Sequence, residues 1–171
     1  PEDLLIKTKN TQPSVFTLSI LIDQILKESN IFPTAVAGHS LGEYAALVSS
    51  NVLTFRDALK LIILRCNEME KANNSNDGTM AAVLNASKND IRQIISLAKG
   101  VLVVANYNTK SQVVISGDTS EVNSAIDNFK SLSKKIKCIK LKVSGAYHSP
   151  LMEFARDALS LSLIHISEPT R

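Results

Sequence analysis

The chain has 171 residues, 44% of them hydrophobic and 20% charged, which predicts a packed core of one ordinary domain or two small ones and excludes a disordered or fibrous chain. Its formal net charge of +3 is too small to argue for nucleic-acid binding, though it suits an acidic partner. No apolar run reaches the roughly 18–20 residues of a membrane span, and the start, PEDLLIKTKN, has neither the basic region nor the apolar stretch of a signal peptide. The expectation is a cytoplasmic protein with neither a membrane nor a nucleic acid as partner. The missing initiator methionine predicts a start inside a longer protein or after processing. Cys66 and Cys138 match no zinc or redox spacing and are expected to be reduced packing thiols, so no metal is anticipated.

Residues 11–29, TQPSVFTLSILIDQILKES, place Val15, Leu18, Ile22, Ile25 and Leu26 on one helical stripe, with Pro13 in the first turn. PTAVAG (33–38) predicts a short strand and LGEYAALVSSN (41–51) a helix. TFRDALKLIILRCNEMEKA (54–72) predicts another helix, opened by a capping-box-like pair, Thr54 and Asp57. NNSNDG (73–78) reads as a polar linker.

The rhythm then changes. Strands are expected at 79–85, 101–108, 112–117 and 136–143, and helices at 87–99, capped by Ser87, and at 119–133. This β-α-β-β-α-β order is the ferredoxin-like pattern. SGAYHSP (144–150) follows as a loop, and LMEFARDAL (151–159) starts a helix. The ending LSLIHISEPTR matches the conceptual translation of a transposase sequencing adapter, with no helical continuation expected; residues 161–171, His165 included, are set aside as an artefact. The predicted organisation is a large α/β subdomain over 1–77, the ferredoxin-like subdomain over 78–143, a return to the large subdomain over 144–160, and the artefact over 161–171.

Gly38-His39-Ser40-Leu41-Gly42 fits G-x-S-x-G, preceded by a predicted strand and followed by a predicted helix. A sharp strand-to-helix turn strains the serine backbone, small flanking residues let it close, and Oγ projects at a helix N-terminus. The Leu41 N–H would then supply an oxyanion donor. The plain alternative is a glycine-flanked helix cap. A nucleophilic serine needs a base. His39 adjoins Ser40 and is read as site lining. His148, in the return loop, is the other candidate, although a loop histidine is commonly a surface residue. No aspartate presents itself as a third partner. Arg65, read alone, is a charge near a helix C-terminus.

TQPSVFTLS, AGHSLGEYAALV, LKLIILR, GTMAAVL, NYNTKSQVVISG and VSGAYHSPLM together resemble, in order and spacing, the bacterial malonyl-CoA:acyl carrier protein transacylases, over essentially residues 10–160. The resemblance implies an α/β-hydrolase-like large subdomain with a ferredoxin-like insertion. It implies that Ser40 takes a malonyl group from malonyl-CoA, with His148 as base and then acid, its imidazole oriented by backbone carbonyls. The acyl-enzyme then passes the group to the phosphopantetheine thiol of acyl carrier protein, in fatty acid biosynthesis. No cofactor of the enzyme's own is implied; malonyl-CoA is the substrate, and the partner carries the phosphopantetheine. Arg65 falls where the family holds the malonate carboxylate. Gln12, Asn106 and Asn108 match positions near the cleft, and GAYH (145–148) looks like the malonyl-using form.

The chain departs from the family at both ends. It lacks the preceding strand and Gly-Gln-Gly loop, and the later carbonyls that orient the histidine. The polypeptide as written is therefore expected to be weakly folded and nearly inactive. The remaining readings are an acyltransferase domain of a polyketide or fatty-acid megasynthase, a serine hydrolase, and an inactive truncated fragment. The basic run KKIKCIKLK (134–142) is the solvated side of a strand or a docking surface for an acidic carrier protein.

Overall fold

The computed structural model describes residues 2–5 and 7–167. Contacts divide the chain into two units, Pro1–Glu70 with Asp157–Arg171, and Lys71–Arg156.

The first unit is helical. It contains α1 (Glu2–Leu5), α2 (Thr8–Glu28), α3 (Gly42–Ser49) and the greater part of α4 (Phe55–Ser75). Its core joins Phe16 and Ile20 of α2 to Ala58, Ile62 and Cys66 of α4, with Leu41, Tyr44, Ala45 and Val48 packed against them. The Phe16 and Phe55 rings stack with centroids 5.4 Å apart. Spacings of four residues in Gln12, Phe16 and Ile20 put these three side chains on the buried face of α2.

Three expectations fail in this unit. The stripe Val15, Leu18, Ile22, Ile25 and Leu26 is exposed, because among the described residues no element covers that face. Helix α2 also begins a turn early, at Thr8, so Pro13 is interior to it. Residues 33–38 form no strand. An apolar run becomes a strand only through a ladder of backbone hydrogen bonds, and the described residues of this unit hold no second strand to supply one.

Helix α4 starts as its sequence dictates. The Asp57 N–H donates to Thr54 Oγ1 at 3.1 Å, and the Thr54 hydroxyl donates to Asp57 Oδ2 at 2.8 Å. The helix continues to Ser75, absorbing the start of the expected linker.

The second unit is α/β. Strands β1 (Gly78–Leu84), β2 (Leu102–Thr109), β3 (Gln112–Asp118) and β4 (Lys137–Lys140) alternate with α5 (Lys88–Ser96) and α6 (Thr119–Leu132). The sheet order is β2-β3-β1-β4 with every neighbouring pair antiparallel. Opposed pairs Ala81–Ile115 and Val83–Val113 put four buried side chains on one face, where Ile91 and Ile94 of α5 and Val122, Ile126 and Phe129 of α6 complete the core. A full capping box holds α5: Ser87 accepts from the Asp90 N–H at 3.1 Å, and Asp90 accepts from the Ser87 N–H at 2.8 Å.

Strand β4 is shorter than the 136–143 expected; after Lys140 only the Leu141 N–H still reaches β1, at Met80 O, 2.9 Å. The alternating pattern continues in sequence, but the ladder does not. Beyond the loop, a 3-10 turn (Pro150–Met152) leads into α7 (Glu153–Ser167). Helix α7 thus runs on through residues where no helical continuation is expected from the sequence: Leu161, Leu163 and Ile164 are tolerated helix residues, and no Gly or Pro interrupts the run before Pro169. The side chain of His165 lies outside the described residues. Both cysteines are free thiols, each with its pKa pushed up by burial, which disfavours the reactive thiolate.

Candidate active site

Ser40 sits in the left-handed region at φ 52°, a conformation a non-glycine residue holds only when its surroundings enforce it. The enforcement is visible in the turn. The N–H groups of Gly42, Glu43 and Tyr44 fold back onto the carbonyls of His39, Ser40 and Leu41 at 3.0, 3.2 and 3.2 Å. A Cβ on Gly38 would lie 2.1 Å from the Glu43 nitrogen, so only glycine lets the turn close there. Gly42 differs: a Cβ on it would meet nothing within 4 Å. The expectation that both flanking positions must be small therefore holds for Gly38 alone. Leu41 is the N-cap of α3 with α-helical angles and no side-chain capping bond, which leaves its N–H at the helix start.

Arg65 comes from the middle of α4, not its C-terminal end. Its Nη2 donates to Ser40 Oγ at 2.9 Å, and its Nη1 donates to Gln12 Oε1. Gln12 is buried on α2, and its Nε2 donates to Thr8 Oγ1 at 2.6 Å and approaches Met69 Sδ at 3.6 Å. The Arg65 guanidinium carbon lies 6.0 Å from the centre of the Tyr44 ring, at the edge of cation–π range. Burial pushes the Tyr44 phenol above its ordinary pKa, against the pull of Arg65. Ser40, Arg65 and Gln12 thus form one connected cluster. A serine hydroxyl has two acceptor lone pairs and one proton, so accepting from Arg65 leaves that proton transferable. His39 is exposed beside the cluster in sequence.

His148, Asn106 and Asn108 belong to the second unit. His148 is exposed, with its backbone also left-handed at φ 58°. Asn106 pairs with Val114 within the β2–β3 ladder, next to a bulge, and so lies in a strand rather than a turn. Among the described residues no group of His, Cys, Asp and Glu could hold a metal ion, and no helix is long and apolar enough to cross a membrane.

Tyr44 and Thr8 escaped the sequence reading. Tyr44 stands four residues after Ser40, in the first turn of α3. Thr8 stands four before Gln12, and a buried polar residue on an otherwise apolar face is the signal that marks the pair.

The chain matches the acyl transferase domain family over residues 1–171. It is 40% identical over 155 residues to a malonyl CoA-acyl carrier protein transacylase of Bacillus subtilis (strain 168), covering 89% of this chain and 49% of that protein. A solved malonyl CoA-acyl carrier protein transacylase from Clostridium perfringens superposes with a TM-score of 0.91 at 34% identity, over 99% of this chain and 54% of that one. A type II PKS acyl-carrier protein in complex with its malonyl-transacylase gives a TM-score of 0.91 at 35% identity, over 97% and 54%. The chain thus spans about half the length of the relatives it matches. With a serine elbow, an arginine on its hydroxyl and a family match along its whole length, the chain belongs to the acyl transferase domain family.

Proposed function

We propose that the chain carries the acylation site of a malonyl-CoA:acyl carrier protein transacylase. The observation that carries this reading is the 2.9 Å hydrogen bond from Arg65 Nη2 to Ser40 Oγ at a left-handed serine. A guanidinium in contact with the nucleophile is one short acyl chain away from any carboxylate esterified to it, and its planar fork matches a carboxylate in two-point contact.

In this reading Ser40 Oγ attacks the thioester carbonyl of malonyl-CoA while its proton passes to His148. The Leu41 N–H donates to the oxyanion. The carbon–sulfur bond breaks, and the departing thiolate takes the proton back from His148. Arg65 moves from Oγ to the free carboxylate, and Gln12 holds the arginine. The phosphopantetheine thiol of acyl carrier protein then repeats the cycle in reverse, with no cofactor belonging to the enzyme. The relative solved with an acyl-carrier protein supports that partner for this chain. In this reading His39 lines the site, and the family resemblance adds Asn106.

We assign the first unit, helical among its described residues, to the helical part of an α/β-hydrolase-like subdomain and the β-α-β-β-α-β unit to a ferredoxin-like one, the cytoplasm being the compartment that fits malonyl-CoA chemistry. The test is intact-mass detection of malonyl-Ser40 after incubation with malonyl-CoA. Its appearance in the chain and loss in Ser40→Ala is expected. Equal labelling of Ser40→Ala, or hydrolysis of simple esters without transfer to a carrier thiol, would sink the reading.

A further inference from the structure

Within the second unit, the loop that carries His148 is tied to the end of α4 by a compact polar network. Asn73 Nδ2 donates to Tyr147 Oη at 3.1 Å and to Ser144 Oγ at 3.3 Å, and those two hydroxyls lie 2.9 Å apart. The loop backbone presses on the same residue: a Cβ on Gly145 would fall 1.7 Å from Asn73 Oδ1. That carbonyl oxygen is buried and has no hydrogen-bond partner among the described residues.

The loop is held on its other side too. The Ser149 hydroxyl donates to Ala146 O at 2.6 Å and accepts from the Leu151 N–H at 3.2 Å. Ala146 is buried against Gly78, where an added Cβ would stand 2.6 Å from the Ala146 Cβ. Between these clamps His148 is exposed, on a left-handed backbone. An asparagine kept for stability alone would pair its buried carbonyl, since an unpaired one is costly. Here the carboxamide gives up that pairing and grips two groups of the loop.

We propose that Asn73 is a positioning residue that fixes the loop 144–149, through Tyr147 and Ser144, and thereby sets where the His148 imidazole stands. The consequence for catalysis rests on the reading of His148 as the base; the positioning itself does not.

The experiment compares the whole chain with Asn73→Leu and Tyr147→Phe, by amide hydrogen exchange and by the NMR titration of the His148 ring. In Asn73→Leu, exchange at residues 145–148 should rise roughly 3–10-fold, the size of one net hydrogen bond, while β1 and β3 stay protected. The ring resonance should shift, Tyr147→Phe should shift it the same way by less, and the double variant should add little. Malonyl transfer should fall in rate at unchanged KM. An unchanged loop and ring in a folded Asn73→Leu would overturn the proposal, as would exchange rising evenly over the unit. Should Asn73→Leu not fold, Tyr147→Phe decides by the same two readouts. Loss of the transfer reading through an active His148→Ala would leave these readouts intact, so the two failures are distinguishable.

Discussion

Arg65 and Ser40 are 25 residues apart in sequence and in hydrogen-bond contact across 2.9 Å. The arginine reaches the serine because α4 presents Cys66 and Ile62 to the Phe16–Ile20 face of α2, which turns the neighbouring guanidinium toward α3. Arg65→Ala should slow Ser40 malonylation by roughly 10–100-fold, the scale of a lost hydrogen bond to a charged group. Acetyl transfer should suffer far less. Arg65→Lys should not restore malonylation, because a point charge cannot make the forked contact. An unchanged malonyl-to-acetyl preference in Arg65→Ala would count against the carboxylate role.

Gln12 governs Arg65 from the buried side. Gln12→Leu keeps the volume but leaves Arg65 Nη1 without its acceptor. The expected result is a stability loss of about 1–3 kcal/mol together with slower acylation. Denaturant titration beside acylation kinetics separates the two effects. Full stability and full rate would show that Arg65 holds itself.

The two glycines of the elbow should respond oppositely. Gly38→Ala drives a methyl group into the backbone of Gly42 and Glu43 and is expected to unfold the elbow or displace α3. Gly42→Ala enters open space at the first residue of α3 and should be neutral or stabilising by up to about 1 kcal/mol through helix propensity. Circular dichroism melts check both. Equal damage from the two would mean that something outside the described turn presses on Gly42.

Acid should weaken the fold through three hydrogen-bonded aspartates, two of them at helix starts. Hydrogen bonds from Ser87 hold Asp90 below the ordinary carboxyl pKa, the Thr54 hydroxyl does the same for Asp57, and Lys27 and Ser49 do so for Asp23. A depressed folded pKa gives stability that is complete above the unfolded value of about 3.9 and is lost as pH falls through the folded values. The melting temperature should therefore be level from neutral pH to mildly acidic pH and fall below about pH 4. Asp90→Asn should be less stable at neutral pH and lose less on acidification. An identical acid slope in that variant would refute the assignment.

The second unit was largely legible in the sequence because its elements are local. Ser87 announces α5, the 102–109 and 112–118 strands are joined by a tight turn, and α6 carries its own apolar stripe. Residues 33–38 and the Val15–Leu26 stripe misled for one shared reason. An apolar pattern records only that a segment can pair or be covered, and pattern alone cannot tell a paired strand or covered face from an unpaired one. At the site, Ser40 was legible from glycine spacing, whereas Arg65 looked like an end-of-helix charge because it closes the apolar run LKLIILR; α4 continues ten residues beyond it, to Ser75. Tyr44 was missed because aromatic residues at helical spacing usually signal core alone. Gln12 and Asn106 were named only through the family resemblance; the structure brings Gln12 into the cluster and sets Asn106 in a strand.

The bare flank of α2 has a practical consequence for handling the chain. Leu18, Leu21, Ile22 and Ile25 are each at least half exposed, along one flank of α2. Of the two sheet edges, β4 offers no comparable adhesive, being four residues long and bracketed by lysines. Purified material should therefore bind solvatochromic dyes in its native state, salt out early in ammonium sulfate and engage chaperones in cell extract. Leu18→Glu with Ile25→Lys should suppress all three while leaving the hydrogen-exchange map of the β-sheet unchanged.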